Sequence, residues 1–143
     1  MIKVTIGCGK RDWGKDWIHI DGADYPHITH HNVTDLKNVL ASKSVDLLYS
    51  SHLICYFSRK EIVPILNEWK RVLKPGGVLR LATPDFHKMM QLYCEKDYLL
   101  EKFLGPLYGE MDLMGNKIHH KTTYDFSSLS HLLYEVGFDE VKR

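Results

Sequence analysis

Short apolar runs alternate along this chain with stretches of helical periodicity. Residues 3–6 (KVTI) and 17–21 (WIHID) read as two short strands. Residues 28–33 read as a weaker third, diluted by His30, His31 and Asn32. Residues 36–41 predict a short helix, and 45–50 (VDLLYS) a fourth strand that stays apolar almost to its end. The clearest helix is SRKEIVPILNEWKRVL, where Ile62, Ile65, Leu66, Trp69, Val72 and Leu73 share one face. Ser58 and Glu61 have the spacing of a capping box. Pro64 removes a donor, so the helix either kinks there or begins its regular part closer to it. Lys74-Pro75-Gly76-Gly77 then stops the helix and turns the chain. Residues 78–82 (VLRLA) make a fifth strand, closed by Thr83-Pro84.

Beyond Asp85 the pattern is helical and aromatic-rich to about Gly109, followed by a polar, glycine-containing stretch. A last helix carries Leu129, Leu132, Leu133 and Val136 on one face. Gly137 is placed to cap it, with Phe138 for the accompanying apolar contact. Residues 138–143 (FDEVKR) read as a sixth strand. Alternating strands and helices predict an α/β fold with a mostly parallel sheet flanked by helices. The length of 143 residues fits one domain.

Ligands of such sheets sit beyond the carboxyl ends of the strands. The strand ends here are Gly7-Cys8-Gly9, Asp21-Gly22, Thr34-Asp35, Ser50-Ser51-His52 and Pro84-Asp85. Glycines after a first strand let a ligand approach the backbone closely. An acid at the end of the second strand can accept from both hydroxyls of a ribose, and Asp21 is placed for that. The dinucleotide fingerprint fits poorly: it needs a third glycine opening a long helix and an acid about 20 residues on. Here the linker KRDWGKDW is short and broken by Gly14. No GxxxxGK[ST] phosphate loop exists either. A nucleoside ligand without essential phosphates survives, and a nicotinamide oxidoreductase is disfavoured.

A formal net charge of +1 argues against nucleic acid as the main partner. Three scattered cysteines, Cys8, Cys55 and Cys94, without a CxxC pair, fit a reducing compartment. No signal peptide and no uninterrupted apolar run of about 18 residues is seen, so a soluble, cytoplasmic chain without a membrane partner is expected. His27, His30 and His31 lack a third ligand at zinc spacing, so no metal is expected.

The sequence resembles the class I S-adenosylmethionine-dependent methyltransferases, most closely small bacterial members. The residues that carry the likeness are Gly7-Cys8-Gly9, Trp17-Ile18-His19-Ile20-Asp21, Asp35-Leu36, Ser50-Ser51-His52, the run from Glu68 to Gly77, Pro84-Asp85-Phe86, His120-Lys121 and Gly137-Phe138. They cover nearly the whole chain in order. The resemblance implies a Rossmann-like sheet with S-adenosylmethionine as cofactor. It implies Gly7, Cys8 and Gly9 on the methionine part, Asp21 on the ribose with Gly22 beside it, and Thr34 and Asp35 near the adenine. Ser50 and Ser51 would line the cofactor's other side. Residues 85–124 would form a lid or substrate segment within the single domain, 1–143.

The chain departs from that family in three places. Ile54-Cys55-Tyr56 stands where an acid and an imidazole are usual, and Arg11 stands at the third glycine. The usual seventh, antiparallel strand is expected to be absent. No universal catalytic group exists for this chemistry, so His52 and Asp85 are the candidate bases, with His119 and His120 behind them. The plainer readings stand beside these: His52 as a strand-end residue hydrogen-bonded to backbone, and Asp85 as the cap of the following helix. Two readings therefore stand. One is methyl transfer to a small-molecule or glycan-like acceptor. The other is a catalytically degenerate cofactor-binding module acting as a partner subunit. An exposed sheet edge would allow pairing with a second copy.

Overall fold

Four of the apolar runs assemble into one parallel sheet. The computed structural model describes residues 1–96 and 98–143. Asp97, inside the expected 85–124 segment, lies outside the described residues. Strands β1 (Lys3–Ile6), β2 (Trp17–Ile20), β3 (Val45–Ser51) and β4 (Leu73–Ala82) lie in the order β2-β1-β3-β4, and every pairing is parallel. The register aligns Val4 with Ile18 and Leu48, and Ile6 with Ile20 and Ser50.

Helix α1 (Ile62–Val72) links β3 to β4. It buries Ile62, Ile65, Leu66, Trp69 and Val72 of the face that periodicity predicts, while Leu73, expected on the same face, already begins β4. Its regular part starts one residue past Glu61, so Pro64 falls in the first turn, where the missing N–H has no partner to lose. The capping-box residues still meet: Glu61 Oε2 accepts from Ser58 N at 2.7 Å, and Ser58 Oγ accepts from Glu61 N at 3.3 Å. They close the turn that leads into the helix.

That turn has a pH signature. The Ser58 N–H, then the Lys121 ammonium and the Ser58 hydroxyl, pull the Glu61 carboxyl from its ordinary 4.5 to about 2. The folded value is the lower one, so the contribution is present above about pH 4.5 and is lost as pH falls toward 2. Glu61→Gln is expected to flatten the acid limb of the stability curve over that window, read by circular dichroism. An unchanged acid limb would show that the contact is idle.

Helix α2 (Phe86–Glu95) and helix α3 (Glu101–Tyr108) follow β4. Strands β5 (Met111–Leu113) and β6 (Asn116–Ile118) then pair as an antiparallel hairpin within the stretch that reads as polar loop. Helix α4 (Phe126–Val136) is capped at its start by Asp125 and Ser128. It ends at Gly137, φ 91°, where Gly137 N donates to Tyr134 O and Phe138 N to Leu133 O. Helices α1 and α4 share the main core with Val4, Ile6, Ile20 and Leu48.

Three expected elements do not form. Residues 28–33 make only one bridge, Ile20 to His30, because the polar His30, His31 and Asn32 side chains turn to loop partners instead. Residues 36–41 close a single turn in which Val39 N and Leu40 N both donate to Leu36 O, too short to continue as helix. Residues 138–143 run without strand pairing. Only Phe138 and Val141 of that tail pack on the core, while Lys142 pairs with Glu140 and Arg143 reaches Asp85 at 2.6 Å. Among the described residues no helix is long and apolar enough to cross a membrane.

Candidate functional site

The chain leaves β1 through Gly7-Cys8-Gly9. Gly7 has φ 73°, and a Cβ there would lie 2.9 Å from Leu53 Cβ, so this position admits no side chain. Gly7 N donates to Ile20 O at 2.8 Å, which laces the turn to β2. Asp21 follows β2 and is only 7% exposed. Its Oδ2 accepts from Gly9 N at 2.7 Å and its Oδ1 from Ala23 N at 2.8 Å. One carboxylate therefore holds two turns at the carboxyl edge of the sheet. His27 adds a third tie through its Nε2, 3.0 Å from Gly9 O.

Cys8 sits inside this knot, its Sγ 3.9 Å from His27 Nε2. Burial, and then the charge of Asp21, push its thiol up to about 11. It stays protonated at neutral pH, which suits packing rather than nucleophilic attack.

The end of β3 supplies the other wall. Ser50 is 1% exposed, and its Oγ has no hydrogen-bond partner among the described residues. Ser51 Oγ meets His52 Nδ1 at 2.8 Å. His52 has φ 57°, a left-handed backbone conformation that costs a non-glycine residue about 1–2 kcal/mol. Gly7, Cys8, Ser51 and His52 border one cleft of about 630 Å³, completed by Thr5, Lys10, Arg11, Trp13 and Tyr49.

None of the other predicted residues lines that cleft: Asp21 is joined to it only through its tie to the glycine turn, and Ser50 stands in register with Ile6 on the core side of the sheet. The side chain of Leu113 in the β5–β6 hairpin packs over Gly22, 3.2 Å from where a Cβ would stand. Thr34 and Asp35 belong to an exposed turn whose backbone N–H groups donate to Asn32 Oδ1. Asp85 is the N-cap of α2, accepting from Lys88 N at 3.2 Å, and it binds Arg143. His119 Nδ1 and His120 Nδ1 lie at 2.9 and 3.1 Å from Gly109 O and Pro106 O, joining the segment to the end of α3. No group of three metal-binding side chains occurs among the described residues.

Ile54-Cys55-Tyr56 forms a turn of 3-10 helix with Ile54 and Cys55 in the core. Cys55 Sγ meets Thr83 Oγ1 at 2.9 Å, and burial raises its thiol. Trp13 escapes the sequence reading altogether. Its ring packs 5.3 Å from Trp17 and 5.1 Å from Tyr49, and its backbone N–H donates to His19 Nε2 at 2.9 Å, while the buried indole N–H has no partner among the described residues. The one available signal was a tryptophan between two glycine-broken turns.

A family model described as a methyltransferase domain matches residues 5–81. None of the curated proteins matches the chain by sequence. Among solved structures, an S-adenosylmethionine-dependent methyltransferase from Archaeoglobus fulgidus superposes with a TM-score of 0.63 at 15% identity. The match covers 98% of this chain and 62% of that one. An S-adenosylmethionine-dependent methyltransferase from Methanosarcina mazei gives 0.61 at 18% identity, covering 96% and 79%. The complex of a Haloferax volcanii methyltransferase with the Trm112 methyltransferase activator gives 0.59 at 14% identity, covering 99% and 62%. The chain thus spans less than two thirds of the first of these structures. With the match running from β1 through the glycine turn and Asp21 to β4, the chain belongs to the methyltransferase domain family.

Proposed function

We propose that the chain binds S-adenosylmethionine beside Gly7-Cys8-Gly9 and directs methyl transfer to a small-molecule or glycan-like acceptor. The observation that carries this is the buried Asp21 carboxylate, fixed between the glycine turn and Ala23. Each of its oxygens accepts one backbone hydrogen bond and keeps capacity for a second, as a ribose diol requires. The residues present fit the cofactor: the cleft lies within the roughly 300–1,000 Å³ of small-ligand sites. The bare Gly7 permits close backbone approach, and Ser51 and His52 offer polar contacts at the cleft.

The bound cofactor supplies a methyl group that is already electrophilic on its sulfonium sulfur. The chain's own part is to align an acceptor, exclude water and, where the acceptor needs it, take a proton. His52, held in a strained conformation at the cleft, is the candidate for that last role. Asp85, tied up by Lys88 N and Arg143, is the poorer one. Residues 85–124 act as the lid, with Leu113 of the hairpin packed on Gly22.

A second reading has one observation in its favour. Ile54-Cys55-Tyr56 presents no acid or imidazole, and its first two residues are core. A cofactor-binding module that serves a partner subunit would need nothing more there. A methyltransferase of similar fold forms a complex with the Trm112 methyltransferase activator.

Calorimetric titration separates the readings. Heat of binding is expected with S-adenosylmethionine and none with NAD. No binding of S-adenosylmethionine sinks the proposal. Binding without methyl release over a broad acceptor panel selects the partner-subunit reading.

A further inference from the structure

Parallel sheets are ordinarily covered on both faces, because the crossover connections carry helices there. In this chain neither the β1–β2 nor the β2–β3 connection contains a helix among the described residues. Helices α2 and α3 make no broad contact with any strand. One face of the sheet, with Val4, Ile6, Ile18, Ile20, Leu48, Leu79 and Leu81, meets α1 and α4 in the core.

The opposite face reads, from β2 to β4, Trp17–Lys3–Leu47–Val78 in one row and His19–Thr5–Tyr49–Arg80 in the next. Trp13 and His27 shield the second row as far as Thr5 and His19, which are 1% and 4% exposed. The first row is covered only at its Trp17 end, by the Trp13 ring: Val78 is 48% exposed, and Trp17, Lys3 and Leu47 are half-buried. None of these four belongs to the main core or packs against it.

Charge narrows what fits. Lys3, Lys10, Arg11 and Arg80 form no ion pair with a carboxylate among the described residues. Lys3 Nζ lies 5.7 Å from the centroid of the Trp17 ring, and the Arg11 guanidinium 5.6 Å from that of Trp13. From this arrangement we infer that the face docks an amphipathic helix of a partner protein, apolar along one stripe and acidic along its flanks. A helix about 10 Å across spans two to three strands spaced about 4.8 Å apart, which matches the Lys3–Leu47–Val78 row. Its acids would meet Lys3 and Arg80 on either side.

A second copy of the chain fits less well, because it would bring cations against cations. Single-stranded nucleic acid needs aromatic faces open for stacking, and Trp13 already packs against Trp17, Tyr49 and Arg11.

Two synthetic helical peptides test the inference on the full chain. Both carry the same leucine stripe; one is flanked by glutamates and the other by lysines. The glutamate-flanked peptide is expected to bind saturably and shift the tryptophan emission, and the lysine-flanked one not to bind. Arg80→Glu should weaken the first peptide about tenfold or more and admit the second. Val78→Asp should weaken it similarly. Both positions are exposed, so thermal unfolding should stay where it is, and Arg80→Glu carries the test if Val78→Asp lowers stability. Equal binding of both peptides, or of neither, overturns the inference. So does displacement of the peptide by oligothymidylate, or a dimer in sedimentation that Val78→Asp dissociates.

Discussion

Asp21→Ala is expected to weaken S-adenosylmethionine binding by about a hundredfold or more and to lower stability at the same time. A hundredfold corresponds to about 2.7 kcal/mol, within the range for losing hydrogen bonds to a charged acceptor. The variant loses the acceptor for Gly9 N and for Ala23 N, so the glycine turn is freed from the end of β2. Each bond to a carboxylate is worth about 1.5–3 kcal/mol, and two part-buried donors are left without a partner. Asp21→Asn keeps one oxygen acceptor, so it should recover part of the stability but not the affinity for a diol. Calorimetry reads the first effect and urea unfolding the second. If affinity is unchanged while stability drops, Asp21 only holds the turn, and the ribose assignment is wrong.

Trp69→Ala carries the largest expected cost to the fold. Trp69 is fully buried in α1, and its indole N–H donates to Val33 O at 3.1 Å. It therefore packs the helix and pins the irregular segment that delivers Leu36 and Leu40 to the core. Truncating a buried tryptophan typically costs about 3–5 kcal/mol. Domains hold only about 5–15 kcal/mol in all, so this variant should sit near the edge of folding at room temperature. Trp69→Phe keeps most of the buried area and forfeits the hydrogen bond, for a loss nearer 1 kcal/mol beyond the packing change. The midpoint of urea unfolding should fall with its slope unchanged. A loss under about 1 kcal/mol for the alanine variant would place Trp69 outside the core.

What sequence could reveal here depended on how local the cause was. Strands β1, β2 and β4 follow from apolar runs bounded by glycines or Thr-Pro, β3 from an apolar run that ends in serines, and α1 from its one-sided stripe. Those signals lie within a few residues of each other. The weak third strand failed because apolar content in residues 28–33 was thin enough for histidine and asparagine side chains to win the backbone. The sixth failed because Phe138 and Val141 alone could not hold a charged tail in register. Asp21 was legible as an acid at a strand end, and the structure adds that it is laced to Gly9 and Ala23. Thr34 and Asp35 were placed by resemblance, and the structure puts them in an exposed turn. Trp13 was illegible because its partners Trp17 and Tyr49 come together only through the parallel register across β1.

The break in register between β3 and β4 bears on solubility. Val45 pairs with Leu73 and Leu47 with Val78, so Lys74-Pro75-Gly76-Gly77 is pushed out of the ladder. β4 is an outer strand, and a long flat outer strand invites other chains to add to it and aggregate. This one is interrupted by a proline that has no N–H to offer and flanked by the charges of Lys74 and Arg80. The bulge that accommodates the turn after α1 thus also works as a guard against fibril-like stacking along the margin of the sheet.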